Sequence, residues 1–140
     1  MKILLAVDGS ACTKRMLAWL ATHDEVLAKG GSYTFLHVVT PVPPQVTHFV
    51  DRGSIEDYYR DTAKAVLDPV AEFARRHGWT HDTRSTIGRS GDEIAKAAEE
   101  GGYDLVVRGS HGHSAAAGLL MGSVAQRVLA ACRAPVMIVR

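Results

Sequence analysis

The sequence predicts an α/β protein built on a parallel sheet with helices covering both faces. Short apolar runs alternate with longer segments of helical period in the order β-α-β-α-β-α-β-α-β, an alternation that calls for parallel strands joined by helical crossovers. The first run, Lys2–Val7, is continuously apolar, which suits a strand buried on both of its faces. Glycine pairs, Gly30-Gly31 and Gly101-Gly102, stop two of the helical segments.

The elements follow in order. After Lys2–Val7, Ser10 stands as an N-cap, and Met16, Leu17, Leu20, Ala21 and Leu27 recur at helical spacing up to Gly30-Gly31. Tyr33–Val39, rich in aromatic and β-branched residues, is the second strand. The stretch from Thr40 to Gly53 contains Pro41, Pro43 and Pro44 and reads as a long loop, neither regular helix nor central strand. Ser54 with Asp57 resembles a capping box, and the helix behind it runs to about His77, with a bend expected at Pro69. Trp79–Ile87 is polar at alternate positions and is placed at a sheet edge. Ser90 with Glu93 forms a second capping box, opening a helix that ends at Gly101-Gly102. Asp104–Arg108 is the fourth strand, Gly122/Ser123–Ala131 the last helix, and Val136–Val139 the final strand. No linker, repeat or low-complexity tract divides the chain, so residues 1–140 are expected to form one domain.

Composition excludes several classes. The chain has 140 residues, 46% hydrophobic and 22% charged, a globular balance. Its 16 Lys+Arg against 15 Asp+Glu give a net charge of +1, without the clustered cations that tracking a nucleic-acid backbone requires. The longest apolar runs, Ile3–Val7 and Ala115–Met121, fall far short of the roughly 20 residues of a membrane span. No cleavable leader is read at the N-terminus, and Cys12 and Cys132 lack metal or disulfide spacing, so a cytoplasmic protein with two reduced thiols is expected.

In an open parallel sheet ligands bind beyond the carboxyl ends of the strands. The loops expected there are Asp8-Gly9-Ser10, Val39–Gly53, Gly88–Ser90 and Arg108–Ser123. The last is the most informative. Gly109-Ser110-His111-Gly112 is followed by nine residues, His113 to Met121, and then by Gly122-Ser123. Glycines admit positive φ and close approach of main chain to a bulky anion, while the helix opened by Gly122-Ser123-Val124 offers unpaired N–H groups and a positive dipole end to phosphate. Ser123 is both a hydroxyl donor and a candidate N-cap.

The spacing Gly-x2-Gly-x9-Gly-Ser directly after an apolar strand resembles the ATP-binding signature of the universal stress protein family. The resemblance covers essentially the whole chain: Lys2–Ser10 (KILLAVDGS), Leu36–Val39, Gly88 with Asp92-Glu93-Ile94, Leu105–Gly112 (LVVRGSHG), Gly122–Leu129 (GSVAQRVL) and Ala134–Arg140 (APVMIVR). It implies an open, doubly wound, Rossmann-like sheet of five parallel strands in the order 3-2-1-4-5 with four helices, and a nucleotide at the junction of strands one and four. The binding set it implies is Ala6, Asp8, Val38, Arg108, Gly109, His111, Gly112, Gly122, Ser123 and Val124. In it Asp8 meets the ribose or a phosphate-bound Mg²⁺, Val38 meets adenine through its backbone, Gly109, His111 and Gly112 wrap ribose and phosphates, and Gly122–Val124 hold the phosphate tail. The ligand implied is ATP, with Mg carried on the nucleotide and no other metal. A homodimer paired through the edge strand Val136–Val139 is also implied. Arg108 departs from the family's usual small or apolar residue, often Met; it has the reach of a bidentate phosphate donor, it could crowd the adenine slot, and a surface ion pair is the alternative.

Plainer readings stand beside these. Asp8 in Asp-Gly-Ser suits an Asx turn at a helix start. His111 and His113 lack ligand-spaced partners and read as loop residues rather than metal ligands. Cys12, in the first turn of a helix, reads as a packed thiol, Cys132 as core, and His37 as a hydrogen-bonded core histidine. In function, a cytoplasmic stress-response module that binds ATP and signals through nucleotide-dependent association leads. The alternatives are a nucleotide-free homodimeric scaffold and a slow ATP hydrolase, since the chain has no Gly-Lys-Ser/Thr phosphate loop and no acid other than Asp8 to position water.

Overall fold

The computed structural model describes residues 1–27, 30–113, 118 and 120–140. In chain order the elements are β1 (Lys2–Ala6), α1 (Ala11–Thr22), a 3₁₀ turn (Asp24–Leu27), β2 (Ser32–Val39), α2 (Pro44–Thr47), α3 (Arg52–Arg76), β3 (Thr80–Ile87), α4 (Ser90–Gly101), β4 (Leu105–Gly109), α5 (Ser123–Ala131) and β5 (Val136–Val139). All strand pairs are parallel, in the order β3-β2-β1-β4-β5. The chain thus moves outward from β1 to β3 on one side and resumes at β4 on the other.

The buried residues divide by strand alternation into two layers. On one face Ile3, Leu5, Phe35 and Val107 meet Met16, Leu17 and Leu20 of α1 and Ala63, Leu67, Val70 and Ala74 of α3. On the other, Leu4, Leu36, Val38 and Val106 meet Ile94 and Ala98 of α4 and Val128 of α5. Side chains at successive strand positions point to opposite faces, so the apolar run of β1 from Ile3 onward is what feeds both layers. β3 lies at one edge, and its residues are mostly exposed or half-buried, as its polar alternation requires.

Helix ends account for most differences from the sequence reading. α1 is capped by Ser10 as expected, its side chain accepting from the Thr13 N–H at 3.4 Å. It stops at Thr22 instead of reaching the glycines. The Leu27 register is taken up by a separate 3₁₀ turn, and residues 28–29 lie outside the described set. The proline-rich stretch contains one helical turn, α2, begun by Pro44 at a position where a missing N–H leaves no bond unmade. α3 starts two residues before Ser54, because Asp51 is the cap: its Oδ1 accepts from the Ser54 N–H at 2.9 Å and its Oδ2 from the Ser54 hydroxyl at 2.6 Å. The expected Ser54–Asp57 box is therefore replaced by an Asp51–Ser54 cap. The helix continues through Pro69, held by its buried stripe. The Ser90–Glu93 box does not form either. Arg89 is the N-cap of α4, no side chain caps it, and Glu93 instead accepts from Thr86 Oγ1 at 3.4 Å. Gly102, left-handed at φ 59°, ends α4 as expected. Among the described residues, no helix is long and apolar enough to cross a membrane.

Candidate functional site

The carboxyl ends of β1 and β4 lie side by side, with Ala6 in register with Arg108, where the strand order reverses. Loops leaving neighbouring strands in opposite directions open a crevice at such a point. Here it forms a cavity of about 480 Å³, of the size that small-molecule sites occupy. Of the ten residues expected at the site, Ala6, Asp8, Val38, Arg108, Gly109, His111, Gly112 and Val124 line this cavity, whereas Gly122 and Ser123 do not. Within the nine-residue spacer, residues 114–117 and 119 lie outside the described set.

Asp8 is fixed by its own turn. The Ser10 N–H donates to Oδ1 at 2.9 Å and the Thr13 hydroxyl to the same oxygen at 2.8 Å, so the Asx turn read from Asp-Gly-Ser is formed. Partial burial pushes the carboxyl pKa up, but the hydrogen bonds from Ser10 and Thr13, with a smaller contribution from the His113 charge, outweigh it and hold the group below its usual value. Asp8 is thus an anion whose Oδ1 is committed to the fold and whose Oδ2 faces Gly112.

The glycines serve by close approach rather than by backbone dihedral. Gly109, Gly112 and Gly122 do not adopt positive φ, contrary to the expectation for the loop. A Cβ on Gly109 would stand 2.7 Å from Cβ of Cys12, and one on Gly112 would stand 2.7 Å from Oδ2 of Asp8. Side chains there would push the loop off the α1 terminus and away from β1. Gly122 is the N-cap of α5, so Ser123 becomes its first helical residue rather than the cap, and no side chain caps this end. The Gly122 N–H donates to the Ser110 carbonyl at 2.9 Å, which closes the loop and removes that amide from ligand binding. The first amides available at this terminus are those of Ser123 and Val124.

Arg108 is not in a surface ion pair. Its side chain is 5% exposed, Nε donates to the Gly109 carbonyl at 2.9 Å, and Nη1 is buried without a partner. Burial pulls its pKa down, opposed by the charge of Asp8 and, to a lesser extent, by Cys12. A guanidinium so placed is a donor held ready in the lining of the crevice.

Three histidines border the same space. His37 is buried and donates from Nδ1 to the Val7 carbonyl at 2.8 Å, so it is the hydrogen-bonded core residue expected from the sequence, yet it also lines the cavity. His113 donates from Nε2 to the Asp8 carbonyl at 2.6 Å, and His111 shares a bond with Ser110 at 3.0 Å. Sequence reasoning missed the α3 wall of the cavity, Tyr58, Thr62 and Val66. Their four-residue spacing puts them on one helix face, a usable signal, but nothing in the sequence says which face turns to the crevice. Cys12 is buried and accepts from Arg15 Nη2 at 2.9 Å, and Cys132 is half-buried with its thiol pKa pushed up by burial, so both are packed as expected.

The donor set does not fit a protein-held magnesium ion. Mg²⁺ requires near-octahedral oxygen ligation, whereas the carboxylate on offer is Asp8, half occupied by its own turn and sharing the crevice with a guanidinium. Among the described residues, no group of three or more His, Cys, Asp or Glu is arranged to hold a metal.

A doubly wound α/β fold with a glycine-bordered crevice at its switch point defines a ligand-binding class shared by many families. Here the family is shown: the model of the universal stress protein family matches residues 1–140, and the chain belongs to that family. The universal stress protein in the QAH/OAS sulfhydrylase 3′ region of Thermus aquaticus is 31% identical over 99% of this chain and 97% of its own length. The solved structure of MJ0577 from Methanocaldococcus jannaschii superimposes with a TM-score of 0.80 at 25% identity, covering 99% of this chain and 94% of that one. Two more distant likenesses, which bear on fold alone, were solved with nucleotides. A universal stress protein in complex with cAMP has a TM-score of 0.68 at 23% identity, covering 100% of this chain and 96% of that one. An Arabidopsis thaliana family protein with AMP bound has a TM-score of 0.71 at 16% identity, covering 99% and 90%.

Proposed function

We propose that this chain is a cytoplasmic stress-response module, a single domain over residues 1–140, that binds an adenine nucleotide in the crevice and signals through nucleotide-dependent self-association. The observation that carries the reading is the convergence of Asp8, the Gly109–Gly112 turn and the uncapped start of α5 around one cavity at the β1/β4 junction. Adenine lies against Val38, whose main chain supplies the base contact. The ribose meets Asp8 through the oxygen not used by the turn. Gly109, His111 and Gly112 wrap the sugar and first phosphate, and the amides of Ser123 and Val124 take the phosphate tail. ATP is the ligand, as the glycine spacing suggests, and any Mg²⁺ arrives as the counter-ion of the triphosphate rather than on a protein site. The cAMP and AMP complexes of fold neighbours support an adenine nucleotide as the kind of ligand.

Self-association runs through β5. This strand is at the sheet edge, Val136, Met137 and Ile138 are only half-buried, and its unpaired main-chain groups suit antiparallel pairing with a second copy. The unpaired state of Cys12 and Cys132 supports a cytoplasmic location.

The test is direct. Purified protein is denatured, and the supernatant is read by ultraviolet absorbance and mass for released adenine nucleotide, while light scattering at micromolar concentration reports assembly with and without added ATP. Released or titratable adenine nucleotide together with a dimer is expected. Absence of any adenine-nucleotide binding refutes the ligand, and a monomer in both conditions refutes the mode of signalling.

A further inference from the structure

The strongest unexplained feature of the crevice is the guanidinium of Arg108. Ion pairs elsewhere among the described residues are exposed and none includes it. It is 95% removed from solvent by its 5% exposure, it borders the cavity, and Nη1 has no acceptor. A buried unpaired cation is unfavourable in the ligand-free protein, so a group that brings negative charge to it gains twice, by attraction and by satisfying an orphaned donor.

Position says which ligand group that is. Val38 at the end of β2 and Val124 at the start of α5 both line the cavity, and in the adenine-nucleotide reading above they take the base and the phosphate tail. Arg108 lines the same cavity from the end of β4, in register with Ala6 of β1 on one side and Ile138 of β5 on the other. The part of a nucleotide that spans from base to tail is the ribose with its attached phosphate. The α5 terminus, nine residues of helix with no side-chain cap, reaches the cavity through Val124 and adds its positive end there. Among the described residues lining the cavity the carboxylate is Asp8, which is not ion-paired with Arg108 and has Oδ1 filled by Ser10 and Thr13, so a divalent cation entering here gains a single oxygen and meets a fixed positive charge.

We propose that the Arg108 guanidinium is the counter-ion of the phosphate joined to the ribose, so that this chain binds nucleotides without a divalent cation and accepts a nucleoside monophosphate. The inference rests on the adenine-nucleotide reading above and narrows it to the phosphate group recognised and the charge that recognises it.

Isothermal titration calorimetry of nucleotide-free protein with AMP and with ATP, each in EDTA and in excess MgCl₂, tests this on the wild type, Arg108→Met and Arg108→Lys. The wild type is expected to bind AMP in EDTA, with Mg²⁺ changing its affinity for either nucleotide by less than about threefold. Arg108→Met is expected to lose about 10- to 100-fold for both nucleotides in EDTA, the effect of removing one or two charge-assisted hydrogen bonds. In the same variant Mg²⁺ recovers part of the ATP affinity and none of the AMP affinity. Arg108→Lys, which keeps the charge without the fork, falls between and remains insensitive to Mg²⁺. Circular dichroism melts confirm that each variant is folded. A wild type that binds only with Mg²⁺, or an Arg108→Met protein that binds AMP in EDTA as tightly as the wild type, overturns the role of Arg108 while leaving the adenine-nucleotide reading intact. A wild type that binds no adenine nucleotide in either buffer overturns that reading itself.

Discussion

Gly112→Ala tests the close-approach account of the glycine loop. The new Cβ would stand 2.7 Å from Oδ2 of Asp8, a separation that carbon and oxygen do not tolerate. The carboxylate cannot simply swing aside, because Oδ1 holds the Ser10 N–H at 2.9 Å and the Thr13 hydroxyl at 2.8 Å. Turning it outward stretches both bonds. Hydrogen bonds to a charged group contribute about 1.5–3 kcal/mol each, and a half-buried carboxylate recovers part of that from water, so a loss of roughly 2–4 kcal/mol is expected. In a domain of this size 1 kcal/mol shifts the melting temperature by about 2–4 °C, giving a fall of about 4–16 °C. Urea titrations and thermal melts of the wild type, Gly112→Ala, Asp8→Ala and the double variant measure it as a cycle. With the carboxylate gone the space is free, so Gly112→Ala in the Asp8→Ala background should lose less than about 0.5 kcal/mol by the same additivity reasoning. An equal loss in both backgrounds, or a Gly112→Ala protein as stable as the wild type, would refute the contact as the reason for glycine.

Three further outcomes follow from the same geometry. Arg108→Met, measured without nucleotide, should raise stability by about 1–2 kcal/mol, since relief of an orphaned buried donor outweighs loss of the Nε bond to Gly109; a fall in melting temperature would show the charge to be a net stabiliser. Asp8, whose folded pKa lies below the ordinary aspartate value of 3.8, contributes stability that is present above that value and lost as pH falls through the lower folded one. Asp8→Asn should therefore be less stable than the wild type at pH 7 and converge with it on acidification, and a constant difference down to strongly acidic pH would count against the assignment. At Gly122, a Cβ would meet the Ser110 carbonyl at an ordinary 3.4 Å, so Gly122→Ala should retain nucleotide within about threefold. The γ-carbons of Gly122→Val have no such room and should abolish retention in a filter-binding assay; unchanged retention would move the ligand away from this loop.

The layers and the strand sequence were legible because periodicity reports burial, and burial is what the sheet is made of. Lys2–Val7 could feed both layers only as a central strand, and Trp79–Ile87, polar at alternate positions, could only be an edge. The caps were less legible. Ser54 and Asp57 match a capping pattern, but Asp51 offers an acceptor one turn earlier and extends the helix backward, and sequence spacing does not rank two caps that satisfy the same amides. The site was visible through its glycines, though for a different physical reason from the one read first. The sequence shows that side chains are missing, whereas which neighbour would collide with them, Cys12 or Asp8, depends on how α1 and β1 are brought beneath the loop. The α3 wall stayed hidden because Tyr58, Thr62 and Val66 look like any helical stripe until β2 and α3 are packed together.

Arg108 shows where fold and function part. Alternation puts it on the same face of β4 as Val106, where the layer is completed by Leu4, Val38, Ile94 and Val128, so packing by itself asks for an apolar residue. Among the described residues no carboxylate lies within ion-pair distance and Nη1 has no acceptor, so the fold offers the charge one bond to its neighbour's carbonyl and the more distant attraction of Asp8. Local rules broken without an internal compensation are expected at functional positions, where the missing partner comes from outside the chain. The partner must then be anionic or rich in acceptors, must reach the β1/β4 junction, and must fit a cavity of about 480 Å³ that Val38 and Val124 help to line. A nucleotide phosphate on a short ribose arm meets all three conditions. Its binding should raise the melting temperature of the wild type more than that of Arg108→Met at equal nucleotide excess, because only the wild type has a buried donor left to satisfy.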